Sequence, residues 1–386
     1  MKKIFCTVLF FQIFLIKFYA QQVEVRTVCK LPDLLLESSG LYVPAIDSIW
    51  SHGDSGNPPN LYLMDTTGKL LRSVVVRGVG NIDWEDISGD DKGNLYVGDF
   101  GNNNNTRQDL VIYKISNFRA LRTDTVNPQA IRFSYEDQTA FPPALSNYLY
   151  DCESMLVFDD SIFLSTKDYH AKPYLGITRI YRIPNAPGTY KAKFVTQVVT
   201  DPIDKQYGGI TGMTISADKK KVILISHSQL FLAEGFQDRA FWTVPWKKTV
   251  TSPFGNREAV AFKNSCTLYL TDDNGGTGIT GNLYTFDFCR WRSTVTAVKD
   301  LSSTSGNVFP NPSSPNDDVT IVLNKISDEK TTVEISDTFG KVLLHFKIAQ
   351  GTEKIVIPSR VFSGAGVYFV HLKHEKMTWK IVRVNQ

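Results

Sequence analysis

From residue 22 to about residue 298 the chain carries almost no helical periodicity. Short apolar or alternating runs are cut by Gly, Asn, Asp and Pro, a pattern that predicts strands joined by turns. Five segments repeat one order, an acidic or polar residue, a small residue, then an apolar strand: Glu37-Ser38-Ser39-Gly40-Leu41, Trp84-Glu85-Asp86-Ile87, Cys152-Glu153-Ser154-Met155, Ile210-Thr211-Gly212-Met213 and Arg257-Glu258-Ala259-Val260. A second strand closes on a polar cluster 14 to 17 residues later, at Asp54, Asp99, Asp168, His227 and Asp272. A third strand follows in most units, at Asn60–Met64, Leu110–Tyr113, Arg179–Arg182 and Gly281–Tyr284. The repeats start at 37, 85, 153, 211 and 258, a period near fifty residues, which is the length of a propeller blade. The chain therefore reads as all-β: a five-bladed propeller, with room for a sixth blade between 85 and 153. Val23–Val28, which has no unit of its own, is expected to complete the last blade and close the ring. An array of β-sandwiches is the competing fold, but it gives no reason for a recurring acid.

In a propeller the innermost strands line a channel and their leading residues converge at one mouth. Glu37, Glu85, Glu153 and Glu258 then point toward a common axis, with Thr211 breaking the set. Gathered carboxylates repel unless a cation or a proton neutralises them. Hard oxygen ligands suit calcium or magnesium, so a calcium site is expected there, with Asp99 and Asp272 completing it and Asp54, Asn102, Asp168 and Asp273 nearby. The purely structural alternative has each glutamate bonding backbone amides of the next blade. His52 and His227 each close a second strand and are the candidate general bases, although a core histidine is the commoner outcome. Lys167 beside Asp168 reads as a surface ion pair in preference to a phosphate contact. Nothing resembles a nucleophile elbow, a phosphate-binding glycine loop or a paired-cysteine metal site.

The strings His52-Gly53-Asp54-Ser55-Gly56-Asn57-Pro58, Asp83-Trp84-Glu85-Asp86-Ile87 and Asn94-Leu95-Tyr96-Val97-Gly98-Asp99-Phe100-Gly101-Asn102-Asn103, with Ile112-Tyr113, resemble those of secreted bacterial propellers of the phytase-like, esterase-like and gluconolactonase-like group. The resemblance implies a channel cation and supports the fold better than any activity, because one propeller scaffold hosts many functions.

The ends set the compartment. Lys2 and Lys3, an apolar run from Ile4 to Ile16 and Ala20 before Gln21 describe a signal peptide over residues 1–20. Its removal takes three lysines and no acid from a chain of net charge +3, which leaves the mature protein formally neutral and excludes an electrostatic footprint for nucleic acid. Cys29, Cys152, Cys266 and Cys289 remain; Cys266–Cys289 is the expected disulfide, with Cys29–Cys289 and free buried thiols as alternatives.

After the propeller, taken as residues 21–298, the texture changes. A polar linker over 299–307 precedes alternating strands that fit a small immunoglobulin-like sandwich over 308–386. Phe309-Pro310-Asn311-Pro312, Asp337-Thr338-Phe339-Gly340-Lys341, Gly366-Val367-Tyr368-Phe369-Val370 and Lys380-Ile381-Val382 closely resemble the C-terminal sorting domain of type IX secretion cargo in Bacteroidetes. That resemblance makes Pro310, Asn311, Pro312, Gly340, Lys341, Gly366, Tyr368 and Lys380 the sorting motif. It implies as partners the type IX machinery and its sortase, with the propeller released or attached to surface lipopolysaccharide. Two functions remain for the propeller. A binding module for an extracellular glycan or protein should expose aromatic rings at the mouth, for which Tyr207, Phe236 and Trp242 are candidates. A metal-dependent phosphoesterase, lactonase or esterase should keep a tight acidic cluster with a base in reach.

Overall fold

The computed structural model describes residues 23–201, 205, 208–252, 255–273, 281–291, 308–311, 313–323, 331–337, 342–362, 364–372 and 377–383. The expected signal peptide, the linker, Tyr207, Pro312, Gly340 and Lys341 lie outside them. The chain divides into two compact units, Met1–Trp291 and Arg292–Gln386.

In the first unit β1 (Val23–Glu24) and β2 (Arg26–Lys30) precede a run of antiparallel meanders. The first is β3 (Ser38–Ala45), β4 (Ser48–Gly53), β5 (Asn60–Met64) and β6 (Leu70–Val76). The second is β7 (Trp84–Gly89), β8 (Leu95–Asp99) and β9 (Val111–Ile115), then the short β10 (Thr125–Val126) and the outer β11 (Gln129–Tyr135). The third is β12 (Asp151–Phe158), β13 (Ser161–Lys167), β14 (Ile177–Pro184) and β15 (Gly188–Val199). The fourth is β16 (Ile210–Ile215), β17 (Lys221–Ser226), β18 (Gln229–Glu234) and β19 (Lys247–Ser252). The last is β20 (Arg257–Phe262), β21 (Thr267–Asp272) and β22 (Asn282–Asp287), and β2 pairs antiparallel with β22 as its outer strand.

The innermost strands close a circle: β3 lies beside β7, β7 beside β12, β12 beside β16, β16 beside β20 and β20 beside β3. Apolar side chains from facing sheets fill the wedges between them. Trp50, Leu61, Trp84 and Val97 pack between the first two meanders, Ile112, Phe133, Met155 and Tyr181 between the next two, and Leu156, Phe163, Met213 and Phe231 between the third and fourth. The extra length between 85 and 153 makes no further meander. It supplies β10, which runs parallel to β6, and lets β11 pair parallel with β15, so two outer edges are covered. The N-terminal segment expected as one strand breaks at buried Val25: β1 pairs parallel with β19 in the fourth meander and β2 goes on to the last. Cys266 and Cys289 form the disulfide, at a Cα separation of 4.8 Å, and Cys29 and Cys152 are free.

The second unit has β23 (Val308–Phe309), β24 (Val319–Val322), β25 (Thr331–Asp337), β26 (Val342–Ile348), β27 (Lys354–Ile357), β28 (Gly366–Leu372) and β29 (Met377–Arg383). They form sheets of order β23-β24-β27 and β26-β25-β28-β29, whose inward residues Val319, Ile321, Val333, Ile335, Val370 and Ile381 share one core. Of the sorting-motif residues, Pro310 and Asn311 are exposed after β23, and Asn311 Oδ1 accepts the Val382 N–H at 2.8 Å. Gly366 opens β28, Tyr368 is buried against Phe362, and Lys380 lies on β29 opposite Phe369.

Candidate metal centre at the ring mouth

Each inner strand meets its second strand through a register shift at one recurring place. The residues left without a cross-strand partner are Ser39, Glu85, Glu153, Thr211 and Glu258. A β-bulge leaves its extra residue out of the ladder and re-aims the side chain, so the same local irregularity gathers one residue from every sheet. The two neutral members tie the ring: Ser39 Oγ donates to Glu85 O at 2.8 Å and Thr211 Oγ1 donates to Arg257 O at 2.7 Å. Glu153 stands within electrostatic reach of both Glu85 and Glu258. Blade-to-blade bonding by the glutamates is thus replaced by bonding through their neighbours. Asp86 Oδ2, for instance, accepts the Met155 N–H of the next inner strand at 2.8 Å while Oδ1 accepts Ile87 N–H.

Two residues before three of the five bulges sits a second acidic position. Asp83 precedes Glu85 and Asp151 precedes Glu153, and by the same register Glu37 precedes Ser39. Asp54, Asp83 and Glu85 present carboxylate oxygens all within 4.8 Å of one another. Burial, with repulsion from Asp83, Glu153 and Asp273, pushes the Asp54 carboxyl up to about 7 against the Ser55 N–H bond that favours its charge. Burial and the Glu153 charge push Asp83 up to about 6 although Arg107 opposes the shift. Glu85, Asp151 and Glu258 are also held well above the usual carboxylate range, first by burial and then by the charge of Glu153. Asp151 is 2% exposed; its Oδ1 accepts the Asn102 N–H at 2.7 Å, and its Oδ2 finds no hydrogen-bond donor.

One buried cation answers part of this charge. Lys167 Nζ lies 3.1 Å from Glu153 Oε2, and the surrounding Glu153, Glu258, Asp151 and Glu85 outweigh burial and hold it protonated. The surface pair expected with Asp168 is not formed: Lys167 turns inward, and Asp168 Oδ2 accepts the Leu175 N–H at 2.9 Å. The remaining acids keep the chemistry of a hard-cation site. Gly101 leaves the needed space, because a Cβ there would collide with Glu85 Oε1 and Asp83 Oδ2. Asp99 buttresses the site instead of joining it, accepting the Asp83 N–H at 3.1 Å and pairing with Arg107 at 3.0 Å.

The sequence-derived ligand set therefore separates. Glu85, Glu153 and Glu258 come together. Glu37 accepts Asn57 Nδ2 at 2.8 Å, and Asp272 accepts the Tyr284 hydroxyl at 2.7 Å within its own sheet. His227 Nδ1 stands 3.5 Å from Glu258 Oε1, and burial, aided by Lys167, lowers it to about 4, so it is neutral at pH 7. His52 is fully buried edge-on to Trp84; its Nδ1 contacts Gly53 O at 2.9 Å and its Nε2 faces Gly40. Phe236 and Trp242 pack with Phe163 and Phe241. They lie between a third and a fourth strand, which places them at the opposite end of the ring from the mouth. Asp83 and Asp151 were not singled out from the sequence, although the twice-repeated Asp-x-Glu spacing was readable there, whereas Asp54 was already expected near the mouth.

No curated protein matches the chain. Among solved structures, PorZ, an essential bacterial surface component of the type-IX secretion system of Porphyromonas gingivalis, is 15% identical with a TM-score of 0.31, covering 89% of this chain and 51% of its own. The chain thus spans about half of PorZ. The aldose sugar dehydrogenase of Streptomyces coelicolor is 13% identical with a TM-score of 0.40, covering 68% of this chain and 96% of its own. A putative gluconolactonase is 11% identical with a TM-score of 0.37, covering 69% and 92%. Residues 307–384 match the family described as secretion system C-terminal sorting domain, so the chain ends in a type IX sorting domain, which marks it for export to the cell surface or the medium.

Proposed function

We propose that the exported unit is a five-bladed β-propeller, followed by an immunoglobulin-like sorting sandwich, and that the propeller is a metal-dependent hydrolase of an ester, lactone or phosphoester. The observation that carries this reading is the convergence of Asp54, Asp83 and Glu85 within 4.8 Å beside the donor-less Asp151 Oδ2. Asp54, Asp83 and Glu85 would hold a divalent cation, with calcium favoured by their all-oxygen chemistry. When bound, such an ion activates water and polarises a carbonyl or phosphoryl oxygen. Lys167, fixed by Glu153, supplies positive charge for an anion developing at the mouth. His227, kept neutral, is the proton acceptor, oriented by Glu258. A plain binding module is the second reading of an exported propeller, but its aromatic candidates Phe236 and Trp242 are half-buried against the core at the end opposite the mouth. Processing by the sortase and attachment to surface lipopolysaccharide belong to the same proposal.

The test is calorimetric titration of the purified secreted protein with calcium, followed by assays on ester, lactone and phosphoester substrates. Wild type should bind and turn over, and Asp83→Asn with Glu85→Gln should lose both. Binding without turnover would return the propeller to the binding module; no binding would overturn the metal site and the hydrolase with it.

A further inference from the structure

The end of the ring opposite the mouth carries acids, Asp90, Asp91, Asp159 and Asp160 among them, and beside them one cationic strip. A groove of about 600 Å³ runs between the outer strands of the third sheet and the connection that follows β18, and Arg182, Lys191, Lys193 and Arg239 line it. In the register, Arg182 of β14 stands directly opposite Lys193 of β15, and Lys191 lies two residues along the same face. Arg132 of β11 pairs with Thr189, on that face again, and is exposed beside the groove. Like charges set directly across a sheet are destabilising, so this arrangement opposes the fold that contains it. Only part of it is relieved internally. Lys193 pairs with Glu136 at 2.7 Å and Arg239 pairs with Asp160, both in exposed, screened positions. Arg182 and Lys191 have no acidic partner among the described residues.

We infer that this groove is a second binding site, for an acidic polysaccharide whose sulfate or uronate groups lie along the Arg182, Lys191 and Lys193 row. Successive cationic side chains on one strand repeat about every 7 Å, a spacing that lets one chain of acidic sugars meet several of them. Thr189 adds a hydroxyl to the lining, suited to sugar hydroxyl groups, whereas that of Ser161 is buried and donates to Asp160 at 2.9 Å. The one aromatic residue there, Tyr190, packs its ring against the core of the third sheet. The groove therefore lacks the stacking platform that single-stranded nucleic acid uses. The site is independent of the cation cluster, which lies at the other end of the ring.

The experiment is binding of the full secreted protein to immobilised chondroitin sulfate and polygalacturonate, with neutral dextran and a single-stranded oligonucleotide as comparators. Wild type should retain the acidic polysaccharides at low ionic strength, release them as salt is raised, and ignore dextran. Arg182→Glu with Lys191→Glu should weaken retention at least tenfold, and the milder Arg182→Gln with Lys191→Gln several-fold. Both variants should melt no lower than wild type, since each relieves a like-charge face. Lys30→Glu with Lys69→Glu, on another part of the surface, should leave binding unchanged. Equal losses in that control, wild-type retention by the charge-reversed variant, or an oligonucleotide bound as tightly as the saccharides would overturn the assignment.

Discussion

Lys167 shows how far one side chain can reorganise a site. Its neighbours in sequence suggest a surface pair, yet it points inward because Glu153, displaced from the ladder by its bulge, lies across β12 and β13 from it. Removing a single partner from a buried pair leaves an uncompensated charge, so Lys167→Met should cost about 3–5 kcal/mol in denaturant unfolding. A divalent cation should restore much of that loss if the mouth accepts one. The acids around it also set a pH dependence. Asp54 and Asp83 have folded values of about 7 and about 6, raised above the unfolded carboxylate range. Their contribution is therefore fully present below about pH 4 and disappears as the pH rises through 6 to 7. Cation binding requires the deprotonated forms, so the rise in melting temperature on adding calcium should be larger at pH 8 than at pH 5. An equal rise at both pH values would exclude these two carboxylates as ligands. At this scale the sequence was legible in Glu85, Glu153 and Glu258, each at the same place in its repeat. It misled at Glu37, which stands two residues before the bulge, in the place of Asp83.

The elements themselves were readable because alternation and turn residues recur with one period, and the predicted first, second and third strands appear with ends shifted by a residue or two. What alternation does not reveal is where a ladder slips. A bulge re-aims the residue it leaves out of the ladder, as at Ser39 of β3, while on the unbroken β4 His52, expected at the mouth, is enclosed against Trp84. Thr211 looked like a break in the acid series, yet it occupies the same bulge and links β16 to β20 through its hydroxyl. Asp86 does similar work between β7 and β12. Asp86→Ala would leave two buried N–H groups, of Ile87 and Met155, without acceptors. The expected cost is about 2–4 kcal/mol by chemical denaturation, with loss of calcium binding as the adjoining Glu85 loses its setting. A variant with wild-type stability would show that the link is dispensable.

At the scale of the molecule, two features separate the working unit from its transport. The Cys266–Cys289 bridge pins the connection after β20 to the segment following β22. Replacing both cysteines by alanine should lower stability by about 3 kcal/mol, without moving the protein to another compartment. Deleting residues 307–386 should do the opposite, leaving the melting of the first unit unchanged while the protein accumulates inside the cell envelope. Surface exposure of the truncated chain, measured by protease accessibility on whole cells, would contradict the sorting role. The division into a propeller-like unit and a sorting tail was visible in the sequence, because the tail carries its own motif pieces in order. The parallel pairings of β10 with β6 and β1 with β19 were not, since strands of two residues leave no periodic trace.

The pairing of β2 with β22 sets the order in which this chain can become a ring. It joins residues roughly 250 positions apart, Lys30 to Asn282 among them, and contacts of such separation are late and slow in folding. Until β22 is complete at Asp287, β2 has no partner, and the wedge between the last and first sheets stays open to water. The circle is thus a timer as well as a scaffold. It delays the acidic mouth, whose members come from the first, second, third and last sheets, until nearly all of the first unit has been delivered. A tether that held residues 23–30 away from β22 would stop the clock, leaving ordered meanders without a centre.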